Sequence, residues 1–198
     1  MKAIRYLLLL SIALVAAVMF YFQQQPDAPE QRILGGNIGG DFTLMSADGP
    51  VSLSDFRGKG VVIYIGYTYC PDVCPMALAV LGQALRNMPE EQSEQIQGIF
   101  ISVDPERDTL EHLASYSSFF SPQIIGLTGE KPEIDKVVQQ YGAFYRRVEM
   151  RDSAMEYAVD HSSRLYLIDP EGNLAALVSH NTHPDQLMKN LKQLIGES

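Results

Sequence analysis

The stretch Gly60-Val-Val-Ile-Tyr-Ile-Gly-Tyr67, followed at once by Thr68-Tyr-Cys-Pro-Asp-Val-Cys-Pro75, decides the fold class. Its first half is a continuous β-branched and aromatic run. That pattern belongs to a strand covered on both faces. Its second half is a proline-rich turn, after which Leu78, Leu81, Leu85 and Met88 recur at spacings of three and four. Such spacing lines up one apolar stripe on a helix. A buried strand feeding a helix through a short turn is the opening of an α/β unit. Pro75 suits the first helical position, and the residue before a proline is disfavoured in helical geometry. Cys74 is therefore expected just before the helix.

Downstream, Ile96–Val103 reads as a second buried strand, Thr109–Phe119 as a helix with Leu110 and Leu113 inward, and Ile124–Leu127 as a short strand. Pro132–Tyr141 carries Ile134, Val137, Val138 and Tyr141 on one helical face. Ala143–Val148 and Met155–Val159 are expected to pair, Leu165–Ile168 and Leu174–Val178 to follow around Glu171-Gly172, and a helix from Pro184 to close the chain. Upstream, Phe42–Leu44 and Pro50–Leu53 flank an Asp-Gly turn signal and predict a hairpin. Strands and helices alternate first, and a hairpin and a closing helix follow. That order suits a central mixed sheet with helices on both faces, over residues 41–198.

The first 22 residues form a separate object. Lys2 and Arg5 precede a run from Tyr6 to Phe22 that holds no charge. As a helix it is about 25 Å long, at the short end for a membrane span. It is apolar all round, unlike a surface helix. It ends in Met19, Phe20, Tyr21 and Phe22, which suit a membrane interface better than the small residues of a signal-peptide cleavage site. The expectation is one uncleaved anchor over 1–22 with the basic N-terminus in the cytoplasm. Residues 23–40, rich in Gln, Pro and Gly, then serve as a tether. The domain would lie in the periplasm, held to the inner membrane by a single pass.

The whole chain of 198 residues carries a formal charge of −9. Setting aside Lys2 and Arg5 takes the remainder to −11. No basic stripe is available to follow phosphates, so nucleic-acid binding is excluded.

The chemistry concentrates at Cys70 and Cys74, the two cysteines of the chain. They sit beside a helix N-terminus, where backbone N–H groups favour thiolates. Two buried small residues or a structural disulfide are the bland alternatives. Two soft sulfurs otherwise suit Cu(I), or Zn(II) with two further ligands. A third ligand must come from elsewhere, and the candidates are His112, His161, His180 and His183. His112 reads as solvated surface, and His180 and His183 as polar loop residues. His161 differs, because it precedes the buried strand at Leu165, where loops gather around ligands in α/β sheets.

Three segments carry a family resemblance: Cys70-Pro-Asp-Val-Cys-Pro75, Ser102-Val-Asp-Pro-Glu-Arg-Asp-Thr109, and Asp160-His-Ser162 ahead of Tyr166-Leu-Ile-Asp-Pro170. Together they resemble the Sco/SenC family over residues 35 to 196. The resemblance implies a membrane-anchored, thioredoxin-like domain that handles copper for cytochrome c oxidase assembly. It implies copper, as Cu(I) and also Cu(II), on Cys70, Cys74 and His161. It implies the copper-site subunit of the oxidase as partner, with a copper donor chaperone and a thioredoxin-like reductant as further ones.

Asp160, and Asp104 at the neighbouring strand end, are candidates to act from behind the ligands. Cys70 and Cys74 are also expected to form a redox-active disulfide. The competing reading is a thiol:disulfide oxidoreductase that keeps the oxidase cysteines reduced. Against it, the dithiol spacer Pro71-Asp72-Val73 is one residue longer than Cys-x-x-Cys, and His161-Ser-Ser-Arg164 stands where such enzymes carry a proline. The expectation is a metal carrier rather than an enzyme.

Overall fold

The computed structural model describes Val15, residues 38–150 and residues 156–197. The chain divides into two compact units, Met1–Glu30 and Gln31–Ser198. Of the first, Val15 is described; it is helical and exposed. The anchor and tether expected over 1–22 and 23–40 otherwise lie outside the described residues, apart from residues 38–40. Among the described residues no helix is long and apolar enough to cross a membrane.

The second unit opens with the hairpin β1 (Thr43–Ser46) and β2 (Gly49–Ser52). Ser46 pairs with Gly49, whose φ of 122° is open to glycine and strained for other residues. A single 3-10 turn, Leu53–Phe56, leads to β3 (Gly60–Gly66), every residue of which is buried. The next elements are α1 (Val73–Asn87), the one-turn α2 (Glu90–Ser93), β4 (Ile96–Ser102), α3 (Leu110–Phe120), β5 (Ile124–Leu127) and α4 (Lys131–Gln140). Then come β6 (Tyr145–Glu149), β7 (Tyr157–His161), β8 (Arg164–Ile168), β9 (Leu174–Ser179) and α5 (Pro184–Leu194). The start of the expected strand at Met155 lies outside the described residues.

Five strands form one sheet in the order β5-β4-β3-β8-β9. β3, β4 and β5 run parallel, while β8 and β9 run antiparallel to their neighbours. The sheet is therefore mixed, as the order of elements predicted. Alternation along β3 assigns its faces. A β-carbon at Gly60 would meet Leu194 and Ile195 at the end of α5, and one at Gly66 would meet Cys74 on α1. The even-numbered positions thus face α1 and α5. Ile63 is on the other face and pairs with Tyr166, whose ring meets Tyr141 at the end of α4. Helices therefore cover both faces. Val61, Val62, Ile63 and Ile65 are each at most 2% exposed, and burying such a side chain stabilises by roughly 1.5–3 kcal/mol.

β6 and β7 form a separate two-stranded ribbon, with Tyr145 opposite His161. The ribbon is tied to the main body by side chains. Tyr157 donates its hydroxyl to Asp104 at 2.7 Å, and Arg107 donates to the Tyr157 carbonyl at 3.1 Å.

Candidate metal centre

β3 runs into the turn at Tyr67–Asp72, and α1 starts at Val73. Cys74 is thus the second residue of α1, not the residue before it as Pro75 suggested. The first four N–H groups of a helix have no partner within it, so Pro75 loses no hydrogen bond in the first turn. Its ring also points back toward Pro71, outside the helix, where no carbonyl of the helix is struck. Placing Cys74 on a helix rather than a loop fixes its direction. Its side chain is fully buried against β3.

Cys70 lies in the turn and is 8% exposed. His161 ends β7, two residues past the expected strand, and its ring is half-buried. The two sulfurs and a ring nitrogen of His161 all lie within 4.8 Å of one another. Cys74 Sγ is 3.3 Å from His161 Nε2. His161 Nδ1 lies 3.0 Å from the Ser162 carbonyl oxygen. A carbonyl can only accept, so Nδ1 carries the proton and Nε2 offers its lone pair to the sulfurs. That is the arrangement an imidazole ligand needs.

The electrostatics of the two thiols diverge. Cys70 is held well below the usual thiol range, first by a hydrogen bond from Cys74, against burial, with help from the backbone N–H groups of Asp72 and Cys74. Cys74 is pushed up, first by burial and then by its bond and charge contact with Cys70. The pair therefore favours a single negative charge carried by Cys70, with the proton left on Cys74. Tyr64 lies beneath both. Its ring meets His161 edge-on at 6.1 Å and its hydroxyl donates to the Val73 carbonyl at 3.5 Å; burial, and then the nearby charge of the cysteine pair, pushes its ionisation far up. Tyr67 meets His161 edge-on from another side at 5.8 Å.

The two aspartates named from sequence are already occupied. Asp104 is buried and accepts from Tyr157 and, at 2.6 Å, from Arg107 Nε. Asp160 precedes His161 on the strand and therefore points to the opposite face. Its carboxylate pairs with Arg146 at 2.7 Å, both side chains being more than half exposed. Such a pair is worth about 1 kcal/mol at most. His180 Nδ1 donates to the Ser163 carbonyl oxygen at 3.1 Å, and His183 caps α5 by accepting from Asp185 N. His112 is exposed, yet its Nε2 bonds to Thr68 Oγ1 at 3.1 Å.

Four positions at this site escaped the sequence reading: Gly66, Tyr64, Thr68 and Asp108. An isolated glycine in a strand is a sign of close approach, and Gly66 carried it. A β-carbon there would stand 2.7 Å from Cys74 Sγ.

A family model described as SCO1/SenC matches residues 30–196. The chain belongs to the SCO1/SenC family. The mitochondrial SCO1 homolog 1 of Arabidopsis thaliana is 40% identical over 151 residues, which cover 76% of this chain and 45% of that protein. The chain thus spans about half the length of that SCO1 relative. Among solved SCO1/SenC structures, apo Sco1 of Thermus thermophilus superimposes with a TM-score of 0.75 at 36% identity, covering 83% of this chain and 95% of that one. ScoI of Arabidopsis thaliana with copper bound gives 0.74 at 39% identity, covering 80% and 98%.

Proposed function

We propose that this protein is a copper carrier whose cargo is held by Cys70, Cys74 and His161. The observation that carries the reading is the convergence of two sulfurs and one imidazole nitrogen within 4.8 Å. The donor set fits the cargo. Thiolates and an imidazole are soft and borderline ligands that suit Cu(I). The Cys70 sulfur is shifted toward the thiolate, and the imidazole tautomer turns the Nε2 lone pair to the sulfurs. Three ligands leave room for an acceptor's thiolate to enter and exchange stepwise.

The acceptor in this reading is the copper-site subunit of cytochrome c oxidase, which family membership suggests. A copper donor chaperone and a thioredoxin-like reductant complete the partner set. Residues 1–22 anchor the domain to the inner membrane, 23–40 tether it, and 41–198 work in the periplasm. The support for the anchor is the uncharged run from Tyr6 to Phe22 behind Lys2 and Arg5.

A second reading is favoured by the split ionisation of the cysteines. A stable thiolate beside a protonated thiol is also what a dithiol exchanger uses. Replacing His161 by alanine separates the two. Loss of a ligand should weaken Cu(I) retention against a chelator by more than the ~10–100-fold typical of a ligand's outer partner. Reductase turnover on a model disulfide should change little. Full copper retention with lost reductase activity would reverse the ranking.

A further inference from the structure

The carboxylate of Asp108 is 1% exposed and lies outside the donor cluster. A buried charge is costly unless it is fully hydrogen-bonded. Asp108 spends its bonds on the segment that carries Cys70. It accepts from the backbone N–H of Thr68 at 2.9 Å and from the Thr68 hydroxyl. It also accepts from Ser102 Oγ, at the end of β4, at 2.6 Å. The Thr68 hydroxyl, having donated to Asp108, accepts from His112 Nε2. The turn between β3 and α1 is therefore fastened, two residues before Cys70, to the end of one strand and to the start of α3.

We propose that Asp108 is a positioning residue for Cys70: through Thr68 it fixes the turn so that the Cys70 sulfur meets Cys74 and His161. This rests on the reading of the three donors as one metal site. Cys74 is placed by α1 and His161 by β7, both regular elements. Cys70 sits in irregular backbone, and Asp108 supplies the rigidity that the turn lacks. Its two bonds to one residue fix orientation as well as distance.

The test uses the full chain with Asp108→Asn, Thr68→Val and, as a control, Thr128→Val. Thr128 is a buried hydroxyl that donates to the Ser102 carbonyl at 3.2 Å and holds no part of the Cys70 turn. Three quantities are read: thermal unfolding, Cu(I) retention against a chelator, and the equilibrium with glutathione in which the dithiol reduces one glutathione disulfide to two thiols. Asp108→Asn should weaken copper retention about tenfold, the low end for a ligand's outer partner. It should also make the Cys70–Cys74 disulfide several-fold harder to form, because the two sulfurs meet less often. Thr68→Val keeps the backbone bond, so it should move both readings the same way by less. Its effect should shrink in the double variant. Thr128→Val should lower the unfolding temperature and leave both readings unchanged.

Wild-type copper retention and glutathione equilibrium in Asp108→Asn, with only the unfolding temperature lowered, would overturn the proposal. If Asp108→Asn does not fold, unchanged readings in Thr68→Val would overturn it in the same way. If the wild-type chain retains no copper, the metal-site reading fails, and the glutathione equilibrium still decides the role of Asp108.

Discussion

Gly66 and Cys74 are matched: the strand residue has no side chain, and the helix residue's sulfur fills the space. A β-carbon at Gly66 would stand 2.7 Å from Cys74 Sγ, 3.1 Å from Phe100 and 3.2 Å from Tyr64. The sulfur is thus seated on the sheet itself, hemmed by two rings that are themselves fully buried.

Gly66→Ala should therefore displace the Cys74 sulfur, since neither ring has room to move. Overpacking of this kind costs about 1–3 kcal/mol. The variant should fold with a lowered melting temperature and retain Cu(I) poorly. Wild-type copper retention in folded Gly66→Ala would mean that Cys74 moves freely and that the sheet does not set its place.

The split ionisation predicts which cysteine reacts, and at what pH. Cys70 is lowered, so its thiolate persists as pH falls from neutral and is lost only well below the usual thiol range. Cys74 is raised and stays a thiol through neutral pH. Iodoacetamide at pH 5 should label Cys70 and spare Cys74, as mass spectrometry of the apo protein would read. Equal labelling, or a Cys70 rate that collapses between pH 8 and 6 as for an ordinary thiol, would contradict the assignment.

The same split governs metal uptake. Copper displaces protons from its ligands. With Cys70 shifted toward the thiolate and the Nδ1 proton of His161 held by the Ser162 carbonyl, away from the sulfurs, Cu(I) binding near pH 7 should release about one proton from the dithiol, that of Cys74. Calorimetry in buffers of different ionisation enthalpy gives the number. Release of two would place a proton on Cys70 in the free protein.

For the N-terminal segment, protein purified from membranes should begin at Met1 by intact mass. A mature chain starting near Gln23 would instead make the first 22 residues a cleaved signal.

The elements were legible because their signals are local. β3 is an unbroken apolar run, β4 is interrupted only by Gln97 before its closing Ser102, and α5 carries Leu187 and Leu191 four apart, both fully buried. The two cysteines were legible through their spacing, and His161 through the family resemblance that the Asp-His-Ser segment helps carry. The register of Cys74 was not, since the preference of the residue before a proline is outweighed when the helix start leaves N–H groups idle. Asp108 stood inside the Ser102–Thr109 segment, but its role was not readable there: it bonds to Thr68, 40 residues away, and hydrogen bonds between distant segments leave no periodic mark. His112 looked like plain surface for the same reason: its exposure is real, but its ring reaches across to the other turn.

Among the described residues the imidazole arrives on a ribbon that shares no strand pairing with the five-stranded sheet, whereas Cys74 sits on that sheet's first helix and Cys70 on the turn that leads into it. The ring and the sulfurs therefore reach one point by separate routes. Substitutions at the ribbon's anchors, Tyr157 with Asp104 and Arg107, should alter how often the ring is present. For protein engineering, the ribbon is then a dial: loosening it should yield a faster-releasing variant, tightening it a more retentive one.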